Sequence, residues 1–344
     1  MNRPMDVLTP GKVLTVVALL GVVWLVTVVA ATLIGPVPVS MAALLAGWQK
    51  TSNPSVDYVI VFETRLPRVL LASVVGGSLG AVGATFQALL RNPLASPHIL
   101  GVSGGAAVAG IAALILAGSG AFHSAATVPA AAFAGAVVST FLIHNLARVG
   151  GRVHPFSLLL VGVIFNSVCA AVIMLVNALG DFYQSHGVLF WIMGNLSTQS
   201  YLLVAAIAAY TLVGIVWLMT HAHHMNLLSL GDDAAAQLGV DVDRTTREVF
   251  VAAALMVGAV VSVSGMIGFV GLIVPHTLRL LLGSDHRLVL PASVVGGAIF
   301  LVWADTIART ILGPTELPVG VVTAVCGGPV FIWLLRRESR RAFR

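Results

Sequence analysis

Few side chains in this sequence are able to do chemistry, and their spacing sorts them quickly. His221, His223 and His224 fall within four positions. Imidazoles that close could share a metal ion, or could form a solvated rim at a membrane boundary. Asp305 precedes Arg309 by one helical turn, the spacing of an i,i+4 ion pair. It is also the main acid inside an apolar stretch, where a proton-coupled secondary transporter would keep its ionisable groups. The ion pair is the reading that the spacing favours. Cys169 and Cys326 lack CxxC spacing and read as small apolar packing residues. No G-x-x-x-x-G-K-[ST] loop is present to cradle a nucleotide phosphate. Nor is there an HExxH, a GxSxG or a carboxylate-rich metal cluster. The chain is therefore expected to be no enzyme and to hold no cofactor or metal, and a lipid-modifying activity lacks a nucleophile–base pair. Energy for any work is expected to come from a partner.

The elements around these residues are membrane spans. Apolar residues make up 58% of the chain and charged residues 9%, with a mean hydropathy of +1.01. So few charges cannot cover a water-facing surface. Ten apolar stretches are read at about 13–34, 66–90, 98–117, 126–147, 155–178, 200–220, 249–267, 268–282, 290–308 and 317–335. A helical span takes about 20 residues, so ten fill most of 344 positions and leave one transmembrane domain, 1–344, with short loops. The first stretch exceeds the apolar core of a signal peptide, about 7–15 residues, and is expected to be retained.

The basic residues orient the spans. With both termini cytoplasmic, 14 of 18 Lys and Arg fall inside, including Arg3, Lys12, Arg91, Arg148, Arg152, Arg244, Arg247, Arg279, Arg287 and Arg344. Only Lys50, Arg65, Arg68 and Arg309 fall outside, a strong positive-inside bias. The net charge of +5 is then a basic rim at the lipid surface and needs no nucleic acid. Gly76 and Gly80, like Gly101 and Gly105, have the spacing that lets helix backbones approach. The string ASVVGG occurs at 72–77 and 292–297 and reads as composition. Asn92-Pro93, Ser96-Pro97, Pro275 and Pro318 mark breaks, and any carbonyl freed by a proline within a span needs a partner.

The longest inside connection is 221–248. Asn226, Leu227 and Leu228 begin an apolar patch, and Gly231 breaks it. Asp232 and Asp233 then precede AAAQL, with Gly239 following. Acids in a first turn, alanines within and a closing glycine predict a short capped helix. Leu228, Leu230 and Leu238 would anchor it in a groove of a cytoplasmic partner, or the helix would lie on the membrane.

These segments resemble the permease subunits of bacterial ABC importers for iron chelates and vitamin B12. The resemblance is carried by TRLPRVLLA at 64–72, QALLRNPLASPHILGVSGGA at 87–106 and MNLLSLGDDAAAQLGV at 225–240. It continues through SGMIGFVGLIVPHTLRLLLGSDHRLVLP at 264–291, ADTIART at 304–310 and ELPVGVVTAVCGGPVFIWLL at 316–335. At 95–98 the chain reads ASPH where many members have an acid and proline, so Ser96 and His98 depart from the pattern. The resemblance implies an all-α polytopic bundle of about ten helices, the large type II importer fold. It implies a homodimer, or a pair with a sister permease, over two cytoplasmic ATPase subunits that hold ATP and Mg. A periplasmic binding protein would deliver an iron chelate, siderophore or haem, with cobalamin as the alternative and an oxyanion more distant, across the bacterial inner membrane. Segment 225–240, with Asn226, Leu227, Leu228, Leu230, Gly231, Asp232, Leu238 and Gly239, would couple to the ATPase. His154, Pro155, Phe156 and Ser157, with Leu94, would gate the pathway. Arg65, Arg68 and Arg309 would meet acidic residues of the binding protein.

Overall fold

The computed structural model describes residues 8–40, 55–118, 126–179, 182–197, 200–313 and 315–342. Arg3, Lys50 and Arg344 lie outside the described residues. Each of the ten apolar stretches contains a helix. They are α1 (Pro10–Leu33), α2 (Val56–Leu89), α3 (Val102–Gly118), α4 (Thr127–Leu146), α5 (Pro155–Leu179), α7 (Tyr201–Thr220), α10 (Val242–Ser264), α11 (Val270–Leu282), α12 (His286–Thr310) and α13 (Val319–Ala342). Seven are long and apolar enough to cross a bilayer, and the apolar parts of α3, α11 and α13 are shorter.

Three features depart from the sequence reading. A short helix, α6 (Phe182–Ile192), lies between two expected spans. A hairpin, β1 (Arg148–Val149) with β2 (Arg152–Val153), interrupts the helices. Gly150 and Gly151 make its two-residue turn at φ 61° and 85°, left-handed values that glycine adopts without a side-chain clash. Finally, α10 starts at Val242, not near 249, because the Asp241 carboxylate accepts from Arg244 N at 3.0 Å and caps it. The stretch 221–241 holds two further helices, α8 (Ala222–Leu228) and α9 (Asp232–Gln237).

The centre of the bundle is α2, buried along almost all of Leu66–Leu89. Its most extensive contact is with α12, which runs antiparallel to it. Arg68 meets Asp305, Gly76 meets Gly297, and Gly80 meets Ser293. A Cβ on Gly76 would overlap the Gly297 carbonyl, and one on Gly297 would overlap the Gly76 carbonyl. The two ASVVGG copies thus face each other, so they are more than shared composition. Glycine is used here because lipid supplies no hydrophobic drive between helices and close backbone packing replaces it.

Backbone groups freed inside the bundle find partners. Residues Val59–Arg65 at the start of α2 form a π-helix just ahead of Pro67. Pro67 has no amide to give the Phe62 carbonyl, and the Tyr201 hydroxyl donates to it instead. Between α10 and α11 the chain unwinds over 265–269, with Gly265 and Phe269 at φ 64° and 68°. There His98 Nε2 lies 2.6 Å from the Ile267 carbonyl, and Asn195 N donates to the Ser264 carbonyl at 2.8 Å. Pro275 frees the Gly271 carbonyl, and Gln87 Nε2 donates there at 3.4 Å and to Leu272 at 3.1 Å. His98, a departure from the resemblance, therefore has a structural task.

The first helix belongs to the bundle. Trp24 Nε1 donates to Ser73 Oγ at 3.1 Å, and α1 packs along α12. Cys169 is buried beside Gly104, as expected of a packing residue, whereas Cys326 is exposed on α13. Large apolar side chains are exposed along α1, α4, α5 and α7, as on a surface that meets lipid or another subunit.

Candidate coupling segment and buried charge cluster

Helices α8 and α9 form the predicted coupling segment. Gly231, at φ 117°, separates them, and Gly239, at φ 88°, ends α9. The apolar patch is divided by this geometry. Leu228 is 3% exposed and belongs to the main core, while Leu230 and Leu238 are 65% and 59% exposed. Leu227 is partly buried against the same core. The anchor role expected of Leu228 is thus corrected: its side chain packs inward, and only Leu230 and Leu238 are presented to a partner.

Two polar ties fasten the segment to the bundle. Asn226 Oδ1 accepts from His286 N at 2.8 Å and faces His286 Nδ1 at 2.8 Å, while Asn226 Nδ2 donates to Asp285 Oδ1 at 2.8 Å. Asp285 in turn caps α12 by accepting from Arg287 N at 3.0 Å. Hydrogen bonds from Arg287 and Asn226 outweigh burial and hold the Asp285 carboxyl at about 2. A carboxyl lowered in the fold stabilises it above its usual value and loses that effect as pH falls toward 2, so this tie stays charged at neutral pH. The second tie joins Arg91, just after α2, to Asp232 at the start of α9, at 2.9 Å. Both ties land on the α2/α12 pair. Asn226 and Asp232 were expected in the segment; Arg91, Asp285 and His286 were not, because 59 or more positions separate the partners.

A cleft of about 670 Å³ lies beside α9 and the hairpin. Arg91, Arg152, His154, Leu230 and Asp232 all line it. Of the predicted gate, His154 and Phe156 are exposed, and Pro155 and Ser157 are half-buried at the start of α5. Leu94 is exposed in the turn after α2 but is not part of this lining. The histidines at 221–224 pack among themselves, and His221 Nε2 lies 3.2 Å from Glu248 Oε2. No group suited to hold a metal occurs among the described residues.

At the opposite end of α2 and α12 are Arg65, Arg68 and Arg309. The sequence reading turned them toward a partner. The structure instead buries all three to more than nine-tenths and bonds them within the chain. Arg65 donates to the carbonyls of Thr32, Leu33 and Val37, closing the end of α1. Arg68 Nε donates to Asp305 Oδ1 at 3.0 Å and Arg68 Nη1 to Glu316 Oε2 at 2.7 Å. Arg309 Nε lies 3.0 Å from Asp305 Oδ2, which bears out the i,i+4 pairing. Arg309 also donates to the Ala31 carbonyl at 3.2 Å. A buried guanidinium keeps such partners because losing them leaves an unsolvated charge. The cluster joins α1, α2 and α12; of its acids Asp305 is buried, while Glu316 is about half exposed.

Comparison with known proteins agrees with this architecture. The FecCD transport family matches residues 22–337. The cobalamin import system permease protein BtuC of Halobacterium salinarum is 42% identical, over 84% of this chain and 76% of that protein. The vitamin B12 import system permease protein BtuC of Vibrio cholerae is 44% identical, over 83% and 85%. The hemin transport system permease protein HmuU of Yersinia pestis is 37% identical, over 86% and 88%. Among solved structures, a metal-chelate type ABC transporter in an inward-facing conformation is similar with a TM-score of 0.80 at 28% identity, covering 94% of this chain and 99% of that one.

Proposed function

The chain belongs to the FecCD transport family, and from that premise we propose that it forms the membrane pathway of an ATP-driven importer of a bulky metal chelate. The observation that carries this reading is the family match across 22–337 together with a like fold over 94% of the chain. An iron chelate, siderophore or haem, is the cargo expected from the breadth of such importers. Cobalamin is the second reading, favoured by relatives of 42% and 44% identity that are named for it. The permease works as a pair, as a homodimer or with a sister chain. Two ATPase subunits holding ATP and Mg bind beneath it, and a periplasmic binding protein delivers cargo from above. The termini lie in the cytoplasm of a bacterial cell, and 221–248 forms the cytoplasmic coupling region. His154 to Ser157, with Leu94, line the inner gate. The outer ends of α2 and α12 receive the binding protein, with Arg65, Arg68 and Arg309 holding that surface in shape from beneath.

The direct test is reconstitution in proteoliposomes with the ATPase and binding protein. Uptake of labelled haem, ferric siderophore or cobalamin is expected only with ATP inside, and the purified chain alone is expected to hydrolyse none. Uptake without the ATPase subunit would overturn the reading in favour of a proton-coupled carrier.

The coupling segment gives a sharper expectation. Changing Leu230 and Leu238 together to Asp removes two exposed leucines worth about 1.5–3 kcal/mol each if fully covered. Co-purification of the ATPase is expected to fall more than tenfold, with the permease still monodisperse. Unchanged co-purification would place α9 on the membrane surface. Asn226→Ala, by contrast, is expected to leave docking intact and lower cargo transported per ATP several-fold, because the tie from α8 to α12 is lost. Equal transport per ATP in the variant would remove Asn226 from the coupling path.

A further inference from the structure

An apolar groove of about 620 Å³ runs between α7 and α10, away from the coupling ties. Tyr210, Val213 and Trp217 of α7 and Val251, Leu255 and Met256 of α10 form most of its wall. Its floor exists because α7 carries Gly214, where a Cβ would come within 2.5 Å of the Met256 sulfur. From Tyr210 to Trp217 the groove follows the helix for roughly 10 Å at 1.5 Å per residue, enough for about half an acyl chain.

The groove ends at Arg247, and Arg247 also lines a polar cleft of about 340 Å³ with His144, Arg148, Arg244, Asp241 and Asp243. The acids at this end are already engaged. Glu248 accepts from Arg244 Nε at 2.8 Å and faces His221 at 3.2 Å. Asp243 pairs with Arg152 at 3.4 Å, and Asp241 caps α10 through Arg244 N. Arg148 and Arg247 have no carboxylate partner among the described residues. An apolar slot that ends at Arg247, with Arg148 and Arg244 in the adjoining cleft, matches a molecule with a hydrocarbon tail and an anionic head. Guanidinium pairs well with phosphate oxygens, and basic pockets at the cytoplasmic ends of spans suit anionic lipid heads.

We propose that this groove is a binding site for an anionic phospholipid of the inner leaflet, its acyl chain between α7 and α10 and its phosphate on Arg148 and Arg247. The site requires that the chain span a bilayer, and it is independent of which cargo is carried. Trp217 and Tyr210 flank the chain, and the engaged acids leave the head a net positive seat. A zwitterionic lipid would fill the groove but gain less at the head.

The test is native mass spectrometry of the purified chain exposed to equal amounts of phosphatidylglycerol and phosphatidylcholine with matched acyl chains. The wild-type chain is expected to retain one phosphatidylglycerol with about tenfold preference, on the order expected for one to two basic residues near a headgroup. Arg148→Ala with Arg247→Ala is expected to abolish the preference, and Arg148→Lys with Arg247→Lys to preserve it. Val213→Trp, which fills the groove without touching the head site, is expected to lower retention of both lipids. Equal retention of the two lipids by wild type, or an unchanged preference in the double alanine variant, would mean a non-selective lipid shell and overturn the proposal. Displacement by glycerol phosphate as effective as by lipid would overturn the acyl-chain assignment.

Discussion

Replacing Gly76 with Leu is expected to abolish a stable fold in detergent. The position faces the Gly297 carbonyl, so the new side chain would strike backbone, which cannot rotate out of the way. Overpacking a core costs about 1–3 kcal/mol where side chains can shift, and a backbone seam should exceed that range. Gly297→Leu attacks the same seam from the other helix and should behave alike. Gly21→Leu on α1 is the control, since nothing lies within 4 Å of a Cβ there. Thermal unfolding followed by size-exclusion chromatography would read all three. If Gly76→Leu melts with Gly21→Leu and the unaltered chain, α2 and α12 are not packed as described.

Asp305→Ala carries the second large effect. It would leave Arg68 and Arg309 buried with a shared partner removed, a loss on the order of 3–5 kcal/mol. Glu316→Ala removes a half-exposed partner of Arg68, and a loss of about 0–1 kcal/mol is expected. A variant with Arg68, Asp305 and Arg309 all replaced by apolar residues of similar size should recover much of what Asp305→Ala loses, because no unpaired charge remains. The ordering of the three melting transitions is the measurement, and equal transitions for Asp305→Ala and Glu316→Ala would show that the buried pairing is not what holds this end together. Reversing Arg65, Arg68 and Arg309 together to Glu is expected to prevent folding, because the new carboxylates would be buried against Asp305 and backbone carbonyls.

The spans were legible because each needs only a local run of apolar residues, and α9 was legible because acids, alanines and glycine lie in consecutive positions. The Asp305–Arg309 pair was legible for the same reason. The rest of the charge cluster was not: Arg68 finds Asp305 across 237 positions, and an arginine at the end of an apolar stretch reads as surface until that partner is placed. Leu228 and Leu230 look alike in sequence, but the end of α8 falls between them and turns one inward and the other out. The repeated ASVVGG could not be separated from a glycine-rich composition until its copies were seen in contact.

The unwound 265–269 stretch bears on how this protein is made. A carbonyl left bare in lipid costs several kcal/mol, so this stretch and the Pro275 turn rely at depth on Gln87, His98 and Asn195. At 13 residues α11 is also about 20 Å long, too short to cross by itself. Synthesis runs from the N-terminus, so Gln87 and His98 have left the ribosome well before residue 265. Segment 265–282 therefore depends on a polar surface made earlier in the chain, and a misplaced α2 would leave the Gly271 and Leu272 carbonyls without Gln87.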